Sequence, residues 1–143
     1  MSDSGEPGRF AAALAQANAA VAEMAEQYVG WVTADLARLE AAVASIDPAN
    51  PAAGLKAAHA VAHDIKGQGS TFNYQMITEI GALLCQYLKA CGAAGRYDAA
   101  VIDAHLRALR AILLNKVQGD AGQLGQQILA NLKSQADLDQ PPT

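Results

Sequence analysis

Leu55-Lys56-Ala57-Ala58-His59-Ala60-Val61-Ala62-His63-Asp64-Ile65-Lys66-Gly67-Gln68-Gly69-Ser70 is the stretch that decides the fold. Leu55, Ala58, Ala62, Ile65, Gly69 and then Phe72 recur at intervals of three and four, the period of an α-helix with one apolar face. At about 100° per residue, the centre of that stripe lies roughly 130° from His63, so the imidazole is expected to face solvent. Lys56 and Gly67 share its outward side, and His59 and Lys66 lie on its flanks.

The same period recurs on both sides of this helix. Upstream, helical sequence begins near Arg9 and runs to Ile46, with a stripe of Val32, Leu36, Leu39, Val43 and Ile46 and a break expected at Gly30. Tyr28 and Trp31 fall on or beside this stripe and read as core. Asp47-Pro48-Ala49-Asn50-Pro51 stops it, with Asn50 as the expected N-cap and Pro51 as the first residue of the next helix. Downstream, Ile77, Ile80, Leu84, Leu88 and Cys91 mark a third helix closed by Gly92 to Gly95. Tyr97-Asp98 opens a fourth, with Val101 or Ile102, His105, Leu109, Ile112 and Val117 inward and Gly119 as its stop. A last amphipathic segment, 121–133, turns Leu124, Ile128 and Leu132 inward. The expectation is an all-α protein: an antiparallel up-and-down four-helix bundle over residues 9–134 with additional helical segments at both ends. Residues 1–8 are expected to be flexible and residues 135–143 disordered.

With 143 residues the chain suffices for one core without disulfides or structural metal. The net charge is −4 and the ten basic residues are scattered, which disfavours nucleic acid as a partner. No apolar run approaches the roughly 18 residues that a membrane span needs, and the polar, acidic start lacks the features of a secretory signal. A cytoplasmic location is therefore expected. Cys85 and Cys91 are poorly spaced for an internal bridge within one helix and read as reduced thiols.

His63 is the residue with the most specific chemistry. A neutral imidazole has one nitrogen lone pair free to attack phosphorus while the other nitrogen carries the proton. Phosphoryl transfer asks mainly for positioning and charge compensation, and Lys66 stands three residues away with a positive charge. Gly67 costs about 1 kcal/mol relative to alanine within a helix, so something should offset it. One turn beyond His63 on the exposed side, the missing side chain leaves room for another molecule to approach. Gln68 and Ser70 are candidates to bond phosphoryl oxygens or the imidazole. Gly69, inward, suits close approach of a neighbouring helix.

Ala62, His63, Ile65, Lys66 and Gly67 resemble the signature of histidine-containing phosphotransfer (HPt) domains of bacterial multistep phosphorelays, and Gly69 to Phe72, Ile80-Gly81 and Leu84 extend the resemblance over residues 50 to 92. Gln68 departs from the small residue common after the glycine. Asn73 stands where the family often has glycine, a mild change because asparagine tolerates left-handed backbone. The resemblance implies that His63 carries a phosphoryl group between receiver-domain aspartates, with Lys66, Gly67, Gln68 and Ser70 in support and His59 as a possible outer neighbour. It implies response regulator receivers and a hybrid histidine kinase as partners, a monomeric state, no cofactor of its own, and Mg2+ supplied by the receiver. It also implies a phosphocarrier without an ATP site rather than an enzyme. Two other readings use the same residues: an adaptor bundle that binds signalling proteins without carrying phosphate, and a bundle holding a metal between His59 and His63, whose i, i+4 spacing suits a shared ion. His105, on an inward stripe, reads as a packed, hydrogen-bonded histidine, and Asp64 and Glu79 as solvated surface.

Overall fold

A computed structural model describes residues 5–136, with side chains from residue 7. Its regular elements are α1 (Gly5–Ala44), α2 (Ala52–Gly69), a short 3-10 turn (Ser70–Phe72), α3 (Gln75–Ala94), α4 (Ala99–Leu114) and α5 (Gly122–Gln135). The described residues are all-helical, with no strand. They form two units, one up to Trp31 and one from Val32 onward.

The second unit is the bundle. Val32, Leu36, Leu39 and Ile46 from α1 and its C-terminal turn are buried, as the sequence stripe requires, and Glu40 of α1 is paired with Arg110 of α4. From α2 the buried set is Leu55, Ala58, Val61, Ala62, Ile65 and Gly69. α3 is the central helix, packing on α2, α4 and α5, and it buries Ile77, Ile80, Leu84, Leu88 and Cys91 together with Met76, Cys85 and Tyr87. Its C-cap is Gly95 in the left-handed region at φ 71°. α4 starts at the N-cap Asp98, whose carboxylate accepts the Ala100 N–H at 2.9 Å, and buries Val101, Ile102, His105, Leu106, Leu109, Ile112 and Leu113. Both cysteines are free and buried.

Local details differ from the sequence reading at several points, among them Val43, Phe72 and Val117, which were expected inward and are half-buried at or beyond the helix ends. α1 begins at Gly5 rather than Arg9, and it runs through Gly30 without a break. A single glycine costs about 1 kcal/mol in a helix interior, too little to end one flanked by good helix formers. Asn50 does not cap α2: the Asp47 carboxylate accepts the Ala49 N–H and organises the turn, and Pro51 precedes the helix with no side-chain cap. α4 ends at Leu114 with Asn115 as its C-cap, and Gly119 lies in the following loop, donating its N–H to the Asn73 carbonyl at 2.8 Å. Trp31 is exposed whereas Tyr28 is buried, and in α5 Leu124 is exposed, Ile128 half-buried and Leu132 buried. Residues 1–4 and 137–143, half of the expected flexible start and most of the expected tail, lie outside the described residues.

His105 is fully buried, as its stripe required. Its Nδ1 lies 2.8 Å from the Val101 carbonyl, its ring stacks on Tyr87 at 14° between planes, and Nε2 has no partner among the described residues. Tyr87 accepts the Asp98 N–H at 2.9 Å, and burial pushes its phenol up to about 12. Burial likewise holds the His105 imidazole below its usual 6.5, which favours the neutral ring in the folded state.

The unfolded chain takes up this proton from about pH 6.5 downward while the folded chain resists it, so stability falls as pH drops through that point toward the lower folded value. The limiting slope is about 1.4 kcal/mol per pH unit for one proton. Urea unfolding of wild type and His105→Leu from about pH 7.5 to about pH 5 measures it, and the variant should lack this one-proton component. Asp98→Ala should lower stability by about 1 kcal/mol in the same assay through loss of the cap.

Candidate functional site

The site is the outward face of the C-terminal half of α2. His63 is exposed, as are Lys56 and Gly67, while His59, Lys66 and Gln68 are half-buried. The observed helix thus has the outward side and the flanks expected from its period, because Leu55, Ala58, Ala62 and Ile65 fix its rotation by burying the opposite side.

Gly67 and Gly69 do different work. A Cβ on Gly67 would meet nothing within 4 Å, so the backbone beside His63 is open to another molecule. A Cβ on Gly69 would overlap Thr78 Oγ1 and come within 2.8 Å of the Thr78 N and the Tyr74 carbonyl oxygen. Across the same contact, a Cβ on Gly81 of α3 would stand 3.1 Å from Lys66 Cα. Small residues on both helices therefore let α2 and α3 touch through backbone just behind the histidine.

Thr78 ties this contact together. Its hydroxyl donates to the Lys66 carbonyl at 3.1 Å and lies 3.2 Å from the Ser70 hydroxyl. Tyr74 N–H returns to the Gly69 carbonyl at 2.9 Å, and Asn73 takes the left-handed conformation at φ 63° that the turn demands. Ser70 thus bonds to α3 at the base of the site. Burial raises the Cys85 thiol, and the positive charge of Lys66 pulls it the other way, so the ammonium of Lys66 acts across to α3. Lys66 is anchored through its backbone and lies one turn from His63 on neighbouring ridges of the helix.

Sequence reasoning missed Thr78. Its only signal was a hydroxyl next to an inward stripe, in the helix facing a glycine-rich end. His59 is close to His63, with ring centroids 6.4 Å apart and planes tilted by 32°. Among the described residues no group of three or more His, Cys, Asp or Glu side chains could hold a metal ion, so the di-histidine pair gains no third protein ligand of these types. Asp64 is exposed and Glu79 half-buried.

Helices packed around an apolar core, with one imidazole held outward above a rigid helix contact, define a surface-histidine bundle. The family model described as Hpt domain matches residues 23–116, which is most of the chain, and this protein belongs to that family. No curated protein and no solved structure matches it. The family's business is phosphotransfer within phosphorelays, as a phosphocarrier working with receiver domains and histidine kinases. Among the described residues no helix is long and apolar enough to cross a membrane.

Substitutions at the two glycines should separate packing from access. Gly69→Ala should destabilise by about 1–3 kcal/mol through overlap with Thr78 and Tyr74. Gly67→Ala should leave stability unchanged or raise it by up to about 1 kcal/mol. Chemical denaturation of the two variants checks both.

Proposed function

We propose that His63 is the phosphorylated residue and that the chain shuttles a phosphoryl group between the aspartates of two receiver domains. The observation that carries this reading is an exposed imidazole beside backbone with open space in front of it, since the Gly67 position has no neighbour within 4 Å. A receiver must bring its aspartyl phosphate in line with the attacking nitrogen, and a side chain at Gly67 would stand in its path.

In the forward step an imidazole nitrogen lone pair attacks phosphorus, the bond from phosphorus to the aspartate oxygen breaks, and the aspartate leaves as a carboxylate. The second ring nitrogen keeps its proton, and the product is a phosphoramidate. Return to a second aspartate is the reverse of the same exchange, so no nucleotide is consumed on this chain. The added charge of about −1.5 to −2 is tolerated because the site faces solvent and Lys66 compensates part of it. Lys66 does so from a fixed position, since its carbonyl is held by Thr78 and its Cα is seated on Gly81. In this reading the divalent ion that screens the phosphoryl oxygens is carried by the receiver, Gln68 borders the docking surface, and His59 flanks the acceptor ring. The partners are response regulator receivers and a hybrid histidine kinase, and the place of action is the cytoplasm.

His63→Gln should abolish uptake of acid-labile phosphate from a phosphorylated receiver while the far-UV spectrum and unfolding midpoint stay those of wild type. Labelling retained in that variant would put the acceptor elsewhere, and stable binding to a receiver without any labelling of wild type would favour the adaptor reading. Gly67→Leu should keep the fold and slow transfer roughly tenfold or more, read by rapid-quench labelling.

A further inference from the structure

The amino-terminal part of α1 carries an apolar face that the bundle's chemistry does not use. Phe10 is 69 % exposed, Leu14 50 %, Val21 63 %, Met24 50 % and Trp31 54 %. Large apolar side chains collected on one line at such exposure mark an interaction surface. With Ala17 they occupy positions 10, 14, 17, 21, 24 and 31 of an alternation of four and three over three heptads, in which position 28 is Tyr28, buried within its own chain and not offered to a partner. That is the 3.5-residue repeat of a coiled-coil seam, not the stripe that faces the core from Val32 onward, which is offset from it by one residue. The seam has a defined end, because its next two positions are Asp35 and Arg38, which pair with each other at 3.0 Å.

We propose that this seam pairs with the same seam of a second copy of the chain, so that the protein associates as a dimer through its amino-terminal helices, in place of the monomer that the family resemblance implies. Charge does not oppose a like partner. The positions flanking the seam are Ala11, Ala13, Asn18, Ala20, Ala25 and Gln27, none of them charged, so two copies meet without repulsion. The charged residues at positions 7–31 are Arg9, Glu23 and Glu26, and in the 3.5-residue frame of the seam all lie about 130° or more from its centre. That outward face is net acidic and has one basic residue, unlike the Lys/Arg-rich polar face of a helix that lies on anionic lipid.

Size favours it. The exposed parts of the two aromatic and three aliphatic side chains amount to on the order of 500 Å² per copy. Flanking alanines, which let two helices approach closely, bring a pair toward the lower end of stable interfaces, about 1,200 Å² in total. The seam lies apart in sequence from the His63 face of α2, and most of it, from Phe10 to Val21, precedes residue 23, where the family match begins.

The test is sedimentation equilibrium of the full chain between about 5 and about 200 μM, where wild type should show a reversible dimer. Leu14→Glu/Val21→Glu and Leu14→Lys/Val21→Lys, each placing like charges in the seam, should weaken self-association by roughly 100-fold or more while far-UV helicity of the bundle persists. An equimolar mixture of the two variants should regain the dimer, since opposite charges then face one another. A wild-type chain that stays monomeric throughout, with or without binding to phosphatidylglycerol vesicles, overturns the proposal. So does a dimer that both charged variants keep, or a mixture that stays monomeric. Phosphoryl uptake at His63 is a separate readout, so loss of the dimer and loss of the carrier function are distinguishable.

Discussion

The backbone contact between α2 and α3 at Gly69, Gly81 and Thr78 is the constraint on which the rest depends. Two helices normally stand 8–10 Å apart with side chains between them. Here two glycines remove those side chains, and the Thr78 hydroxyl fills the gap with bonds to the Lys66 carbonyl and the Ser70 hydroxyl. The contact fixes the C-terminal half of α2 in depth as well as in rotation. An exposed side chain on such a helix has its backbone held in place while its tip stays in solvent, which suits the role proposed for His63.

Further packing supports the contact from behind. α3 is wedged among α2, α4 and α5, and the loop after α4 closes on the turn after α2 through the bond from Gly119 N–H to the Asn73 carbonyl. The buried polar groups sit away from the histidine face: His105, Tyr87 and Cys91 lie where α3 meets α4. Burial shifts each of them toward its neutral form. The chain thereby separates a dry, neutral interior from the solvent-facing side of α2 that carries His63.

The family assignment and the geometry reinforce each other by different routes. The family match covers residues 23–116 and says what kind of chemistry the bundle serves. The geometry distinguishes the glycines: Gly67 faces open space, and Gly69 is filled by its neighbour helix. From the sequence these were two small residues, separated by Gln68, whose different faces followed from the helical period alone.

The all-helical class, the inward stripes of α2 to α4, the outward face of His63 and the buried state of His105 were legible in the chain because a 3.6-residue period converts spacing directly into sides of a helix. Helix ends were less legible. Asn50, Gly30 and Gly119 each carry a local stop or cap signal of about 1 kcal/mol or less, and tertiary contacts or neighbouring helix formers override signals of that size. The exposure of Trp31 and Leu124 depends on which neighbours a helix meets, which spacing cannot state. Sequence by itself therefore determined which residues share a side. Only the tertiary structure decided which sides touch, and so made Thr78 the anchor of Lys66 and gave Ser70 a structural partner, because contacts between helices depend on the distance and register at which two backbones meet.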